Sequence, residues 1–162
     1  MRKEEYTKQQ LLEAMLALLN KKTIEDISIT ELVNEAHVGR ASFYRNYAQK
    51  EDILINHMKN LFKKWGEDFE KEGNPDVNAS LLKHFWNERE FYQAVYNANL
   101  GFHIYNSMKN AMNISEKTNP IEKYLTSWYA GSIYGFIDEW MKNRMKESPD
   151  ELALLMKNLM PQ

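Results

Sequence analysis

The chain has 162 residues, enough for one globular domain or for a small head joined to a larger body. Its 21 Lys and Arg against 23 Asp and Glu give a formal charge of −2, which excludes a uniformly basic coat but leaves room for a local basic face. Hydrophobic residues at 43% and charged residues at 27% exclude a disordered chain, and the lack of cysteine excludes disulfides, thiolate metal sites and a cysteine nucleophile.

With only 6 Gly and 4 Pro, and apolar residues spaced by three and four, the sequence reads as all-α. Alternating Val/Ile/Thr runs of the kind that make strands are missing. The N-terminal MRKEEYTKQQ lacks the apolar run of a signal peptide, and no stretch reaches the roughly 18 apolar residues of a membrane span. The expectation is a soluble cytoplasmic protein with no membrane contact.

In chain order, Thr7-Lys8-Gln9-Gln10 has the form of a capping box. It opens a helix with Leu11, Leu12, Met15, Leu18 and Leu19 on one face, ending near Asn20 to Lys22. Ser28-Ile29-Thr30-Glu31 is a second capping box, starting a short helix with Ile29, Leu32, Val33 and Ala36 inward. His37-Val38-Gly39 reads as a tight turn. A very short helix follows over 40–47, then a long one over about 50–71. Glu72-Gly73-Asn74-Pro75-Asp76 is the clearest break. Beyond it the expected helices are 77–88, 90–99, 102–113, 120–145 and 149–160. Two of their starts are marked by Asn119-Pro120 and Ser148-Pro149, a capping side chain followed by proline at the first helical position. The predicted domains are a three-helix head over 1–50, a connecting helix over about 50–71, and a helical body over 72–162.

The informative segment is 28–50, SITELVNEAHVGRASFYRNYAQK. Two short helices joined by a three-residue turn make a helix-turn-helix, which presents its second helix to the DNA major groove. That chemistry needs small residues where the backbone nears the bases, a long donor for base edges, and hydroxyls and cations for phosphates. Arg40, Ala41, Ser42, Tyr44, Arg45, Asn46 and Lys50 supply these. Phe43 and Tyr47, four apart, form the face that pins the helix to the first and fourth helices. In an arbitrary helical segment the same cations would be a solvated face; the ordered pattern sets this one apart.

Residues 7–60 resemble the DNA-binding head of TetR/AcrR transcriptional regulators. The resemblance rests on the amphipathic first helix, the capped short second helix, the segment Ala41-Ser42-Phe43-Tyr44-Arg45-Asn46-Tyr47, and Lys50-Glu51-Asp52-Ile53-Leu54. It implies base contacts from Arg40 and Ala41, phosphate contacts from Ser42, Tyr44, Asn46 and Lys50, a further contact from Thr30, and either role for Arg45. Three positions depart from the family's pattern. His37 stands where Gly is usual, and His is one of the residues better tolerated at positive φ. Gly39 replaces Ser before the recognition helix, and Gln49 replaces a better cap. Residues 1–60 hold nine basic and nine acidic side chains, so the positive charge must gather on one face. Binding should weaken with salt by a slope of about −0.9 per neutralised phosphate.

Of the 20 aromatic residues, 13 fall between Phe85 and Trp140. They either fill a core or in part line a pocket, which would be largely apolar with a few placed polar groups. Candidate ligand contacts are His84, Tyr96, His103, Tyr105 and Trp128, with Asn97 and Asn99 as further polar groups. The last two helices read as a dimer interface, through Trp128, Gly131, Ser132, Gly135 and Trp140 on one and Leu152, Leu155, Met156 and Leu159 on the other. Two glycines inside a helix cost about 1 kcal/mol each against alanine, which asks for a packing reason. Met141, Met145, Met156 and Met160 supply adaptable packing nearby. The resemblance implies pairing through the last two helices and a twofold reader of a near-palindromic double-stranded operator. It also implies a homodimeric repressor controlled by a small molecule held in the body.

No cofactor or metal site is expected. His37, His57, His84 and His103 lack ligand spacing, and phosphate-binding loops, Gly-x-Ser-x-Gly and HExxH are missing. The chain is therefore not expected to be an enzyme. The competing expectation is a DNA-binding dimer whose body is a protein-interaction module.

Overall fold

The computed structural model describes residues 3–73, 76–112 and 119–159, and among these every regular element is a helix. The order is α1 (Lys3–Leu19), α2 (Ile29–Glu35), α3 (Arg40–Asn46), α4 (Glu51–Lys71), α5 (Val77–Asn87), α6 (Arg89–Asn97), α7 (Gly101–Ala111), α8 (Pro120–Lys142) and α9 (Pro149–Leu159). Asn74 and Pro75 of the expected loop, and Met160, lie outside the described residues.

The all-α expectation holds, with one start corrected. Helix α1 begins four residues before the predicted cap, so Thr7 sits inside the helix and is nearly buried. Glu4 and Glu5 suit the positive end of the helix dipole, and Lys8 pairs with Glu4 one turn back. These local gains override the capping pattern. The second capping box forms by half. Ser28 Oγ accepts from Glu31 N–H at 3.1 Å, while the Glu31 carboxylate turns to Lys22 Nζ at 2.6 Å.

Glycine is scarce, and three helix ends use other residues in the left-handed region. After α2, His37 has φ 53°, with Val38 N–H on Val33 O at 3.0 Å and His37 N–H on Asn34 O at 3.1 Å. This is a Schellman closure with histidine in the glycine position. Asn99 after α6 and Arg144 after α8 repeat it, at φ 58° and 57°. The last closure ends α8 at Lys142, three residues short of the predicted 145, because Arg144 and Met145 leave helical φ. Replacing exposed His37 by glycine should stabilise the protein by roughly 0.5–1 kcal/mol, measured by urea unfolding, because the left-handed conformation costs a side chain energy that glycine does not bear.

Phe43 and Tyr47 are buried as expected. Helix α3 packs on α1 and α2, and Tyr47, just past its end, lies within reach of the charges of Glu4 on α1 and Asp52 on α4, the two helices expected to hold it. The tight turn at His37 brings α3 back against α2, whose Leu32 and Val33 are buried. Helix α4 starts within a residue of its expected position. Gln49 supplies no cap; instead Asp52 reaches back to accept from Ala48 N–H and Gln49 N–H, both at 3.1 Å.

Helix α4 joins the two halves. Its Ile53, Leu54, Met58 and Phe62 are buried along one face, and it packs on α1, α5 and α7. One continuous core therefore runs from Leu11 on α1 to Met156 on α9. In the body, Asn119 caps α8 through Ile121 N–H at 3.0 Å. Ser148 and Glu151 cap α9 reciprocally, with Ser148 N–H on Glu151 Oε2 at 2.8 Å.

Candidate nucleic-acid interface and the exposed face of the body

Helix α3 splits into two faces. Phe43 and Tyr47 point into the head, with rings 6.0 Å apart. Arg40, Ala41, Tyr44 and Arg45 are exposed, and these pairs at i and i+4 share one side of the helix. The Arg40 guanidinium lies 5.7 Å from the centre of the Tyr44 ring, close enough for a cation–π contact that orders both side chains. Arg45 Nη2 donates to Ser42 Oγ at 2.7 Å, and half-buried Asn46 donates to Ser42 O at 2.7 Å. The helix carries two arginines and no acid, so its surface is locally positive in a head of balanced charge.

Lys50 lies just past α3 and does more than the sequence suggested. Its ammonium donates to Ile27 O at 2.7 Å and Glu25 O at 3.2 Å, tying the α1–α2 loop to the start of α4. An ammonium has three donors, so one is left to reach outward. Thr30 is exposed in the first turn of α2.

The five predicted ligand contacts do not gather at one place. His84 lies between α4 and α6 in a packed aromatic cluster, its ring 5.2 Å from Phe62 and 5.5 Å from Tyr92. Its Nε2 is 2.6 Å from Tyr92 Oη, so its polar atom is already satisfied within the protein. Tyr105 packs on Tyr134 at 5.4 Å, and His103 is half-buried on α7. Tyr96 lines a groove of about 920 Å³ and His84 a separate one of about 550 Å³. Trp128 is 70% exposed on the outside of α8.

Burial lowers the His84 pKa to about 4. The unfolded chain therefore binds a proton between about pH 6.5 and pH 4 that the folded chain does not. Stability contributed by neutral His84 is complete above about 6.5 and is lost as pH falls toward 4, by up to roughly 3 kcal/mol. His84→Gln should flatten that part of the stability profile in urea titrations; an unchanged slope would contradict the burial argument. His57 is shifted the same way, chiefly by burial and against an opposing effect of Glu88, so the comparison with the variant isolates His84.

The predicted interface residues separate by exposure. Gly131, Ser132, Gly135, Leu155 and Leu159 are exposed, as is Trp128. Trp140, Leu152 and Met156 are not available at the surface and belong to the core of the protomer. Trp140 is 3% exposed, stacks on Trp86 with ring centres 6.0 Å apart, and donates to Glu147 O at 3.1 Å. Leu152 and Met156 lie on the side of α9 that packs against α5. Ile121, Tyr124 and Leu125, which lie outside the predicted interface set, are each more than 60% exposed. With Trp128, Ser132 and Gly135 they make a row at three- and four-residue spacing along α8. That spacing is present in the sequence, but apolar periodicity alone does not say which face of α8 is covered. A Cβ built on Gly131 or Gly135 meets nothing within 4 Å, so the protomer itself gives no reason for either glycine.

Among the described residues no helix is long and apolar enough to cross a membrane, and no group of three or more His, Asp or Glu is placed to hold a metal ion. The all-helical fold, with two short helices and a tight turn ahead of a helical body, is that of a solved structure, Lin0861 from Listeria innocua. The two share 16% identity, with a TM-score of 0.81 over 95% of this chain and 88% of that one. No curated protein matches this chain. Residues 75–162, more than half of the chain, match the family TetR_C_8, described as transcriptional regulator C-terminal region. The chain belongs to the TetR family of transcriptional regulators, a family of regulators and not of enzymes.

Proposed function

We propose that this protein is a homodimeric, sequence-specific DNA-binding repressor of the cytoplasm. Its head over 1–50 reads a near-palindromic operator, and its body over 72–162 pairs the protomers and answers to a small molecule. The observation that carries this reading is the outer face of α3, where Arg40, Ala41, Tyr44 and Arg45 stand together without an acidic neighbour on the helix. Arg40 and Ala41 read base edges. Ser42, Tyr44, Asn46, Lys50 and Thr30 hold phosphates, and Arg45 serves either purpose.

Pairing is supported by the exposed row from Ile121 to Gly135 and by two helix-interior glycines that nothing in the protomer requires. A twofold pair sets the recognition helices about one DNA turn apart, ~34 Å. Control requires the effector to bind the DNA-competent and DNA-incompetent arrangements with different affinity.

Binding titrations on specific and random DNA test the roles. Tyr44→Ala should weaken binding by a similar factor on every sequence. Lys50→Ala should do the same and also lower stability, because two carbonyls lose their donor. Arg40→Ala should relax specificity at one position, by ~1–3 kcal/mol for a bidentate contact. Equal effects of all three on specific and random DNA would contradict the assignment.

A second reading has the body answer to a partner protein. It is favoured by the tight filling of the α4–α6 interior by Phe62, Phe85 and Tyr92. A stoichiometric partner that alters operator affinity would support it over the small-molecule reading.

A further inference from the structure

We propose that the groove between the C-terminal end of α1, the outer face of α6 and the closing turn of α8 binds a small amphipathic anion, a carboxylate or phosphate ester with an apolar tail. The groove has a volume of about 920 Å³, within the range of sites that hold small molecules. Half-buried Leu16 and Leu19 from α1 give it an apolar wall, backed by the buried Met141 and Met145 at the end of α8. Four cations, Lys22, Arg89, Lys142 and Arg144, share it with one acid, Glu90.

Two of those cations are already neutralised. Lys22 is 2.6 Å from Glu31, and Lys142 is 2.6 Å from Asp138. Arg89 and Arg144 have no ion pair among the described residues. Arg89 lies over the Trp86 ring at 5.2 Å and gives one N–H to Trp86 O, which fixes the guanidinium and leaves its other donors open. Arg144 is held at the rim by a backbone with φ 57°, followed by Met145 at 50°. This helix closure buries Met145 in the core and leaves Arg144 on the groove. An anionic head between Arg89 and Arg144 gains charge-assisted hydrogen bonds, while the tail covers Leu16 and Leu19.

The groove joins head and body through α1, α6 and α8, so its occupant touches both. The regulatory consequence, a change in operator affinity, rests on the DNA-binding reading above; the binding itself does not.

The test is calorimetry on the full chain with octanoate, octyl phosphate and the neutral octanol. Both variants, Arg89→Gln and Arg144→Gln, are first checked for an unchanged melting temperature. Binding of at least one anion, about tenfold or more tighter than octanol and weakened about tenfold or more in the double variant, is expected. The stronger of the two anions identifies the head group. Silence with both anions, equal affinity for octanol, or an unaffected double variant would overturn the proposal. Repeating the operator titration with the bound anion then separates the two claims. If the anion binds but no DNA does, the DNA-binding reading fails and the anion site stands.

Discussion

Phe43→Ala should lower the stability of the protein by about 3–5 kcal/mol and abolish DNA binding with it. Phe43 is fully buried at the centre of the short α3, touching the rings of Tyr44 at 5.2 Å and Tyr47 at 6.0 Å. A seven-residue helix cannot stand alone, so nearly all of its order comes from this packing. The loss is a large share of the 5–15 kcal/mol typical of a whole domain. Tyr44→Ala, one residue along on the exposed face, should cost about 1 kcal/mol or less in stability while still losing DNA affinity. Urea unfolding of both variants separates the two faces of α3. Equal destabilisation by the two would mean that the exposed face is also structural.

On the proposed pairing through α8, Trp128→Asp should leave the protein monomeric, read by analytical ultracentrifugation at micromolar concentration. Trp128 sits in the middle of the exposed row on α8, and a central aromatic of this kind is worth ~2 kcal/mol or more in an interface. A twofold pair loses it twice and buries two added charges. Because the side chain is 70% exposed in the protomer, the variant should keep the stability of the folded monomer. Gly135→Ala gives the sharper contrast. Alanine favours an isolated helix by about 1 kcal/mol, and the protomer has open space for the methyl group. The variant should therefore stabilise the monomer while weakening the dimer. A Gly135→Ala protein that dimerises as well as the original would place the interface elsewhere.

The head was legible in the sequence because its signals are local. Ser28 before Glu31, the His37 turn and the Phe43–Tyr47 spacing each depend on residues within a few positions, and the structure keeps them. Where two local signals competed, the capping pattern at Thr7 lost to the helix-forming stretch ahead of it. The body was harder to read because apolar periodicity marks a helix face without saying what covers it. Trp140 and Trp128 look alike in the sequence and lie on one helix. One stacks on Trp86 of α5 and donates to Glu147 O, and the other stands in solvent, a difference set by tertiary neighbours and not by the helix itself. The groove at Arg89 and Arg144 was invisible for the same reason: its walls come from three helices distant in the chain. Lys50 shows a further limit. Its place after α3 suggested an outward contact, while its two hydrogen bonds to the α1–α2 loop depend on tertiary structure alone.

The central claim is that the outer face of α3 reads DNA sequence. Selecting genomic fragments with the purified protein, beside an Arg40→Ala/Tyr44→Ala double variant, tests it most directly. Both side chains are exposed, so the double variant should fold. The account predicts an enriched near-palindrome with the protein and none with the variant. A protein that enriches no sequence at low salt, or a variant that enriches the same one, would contradict it.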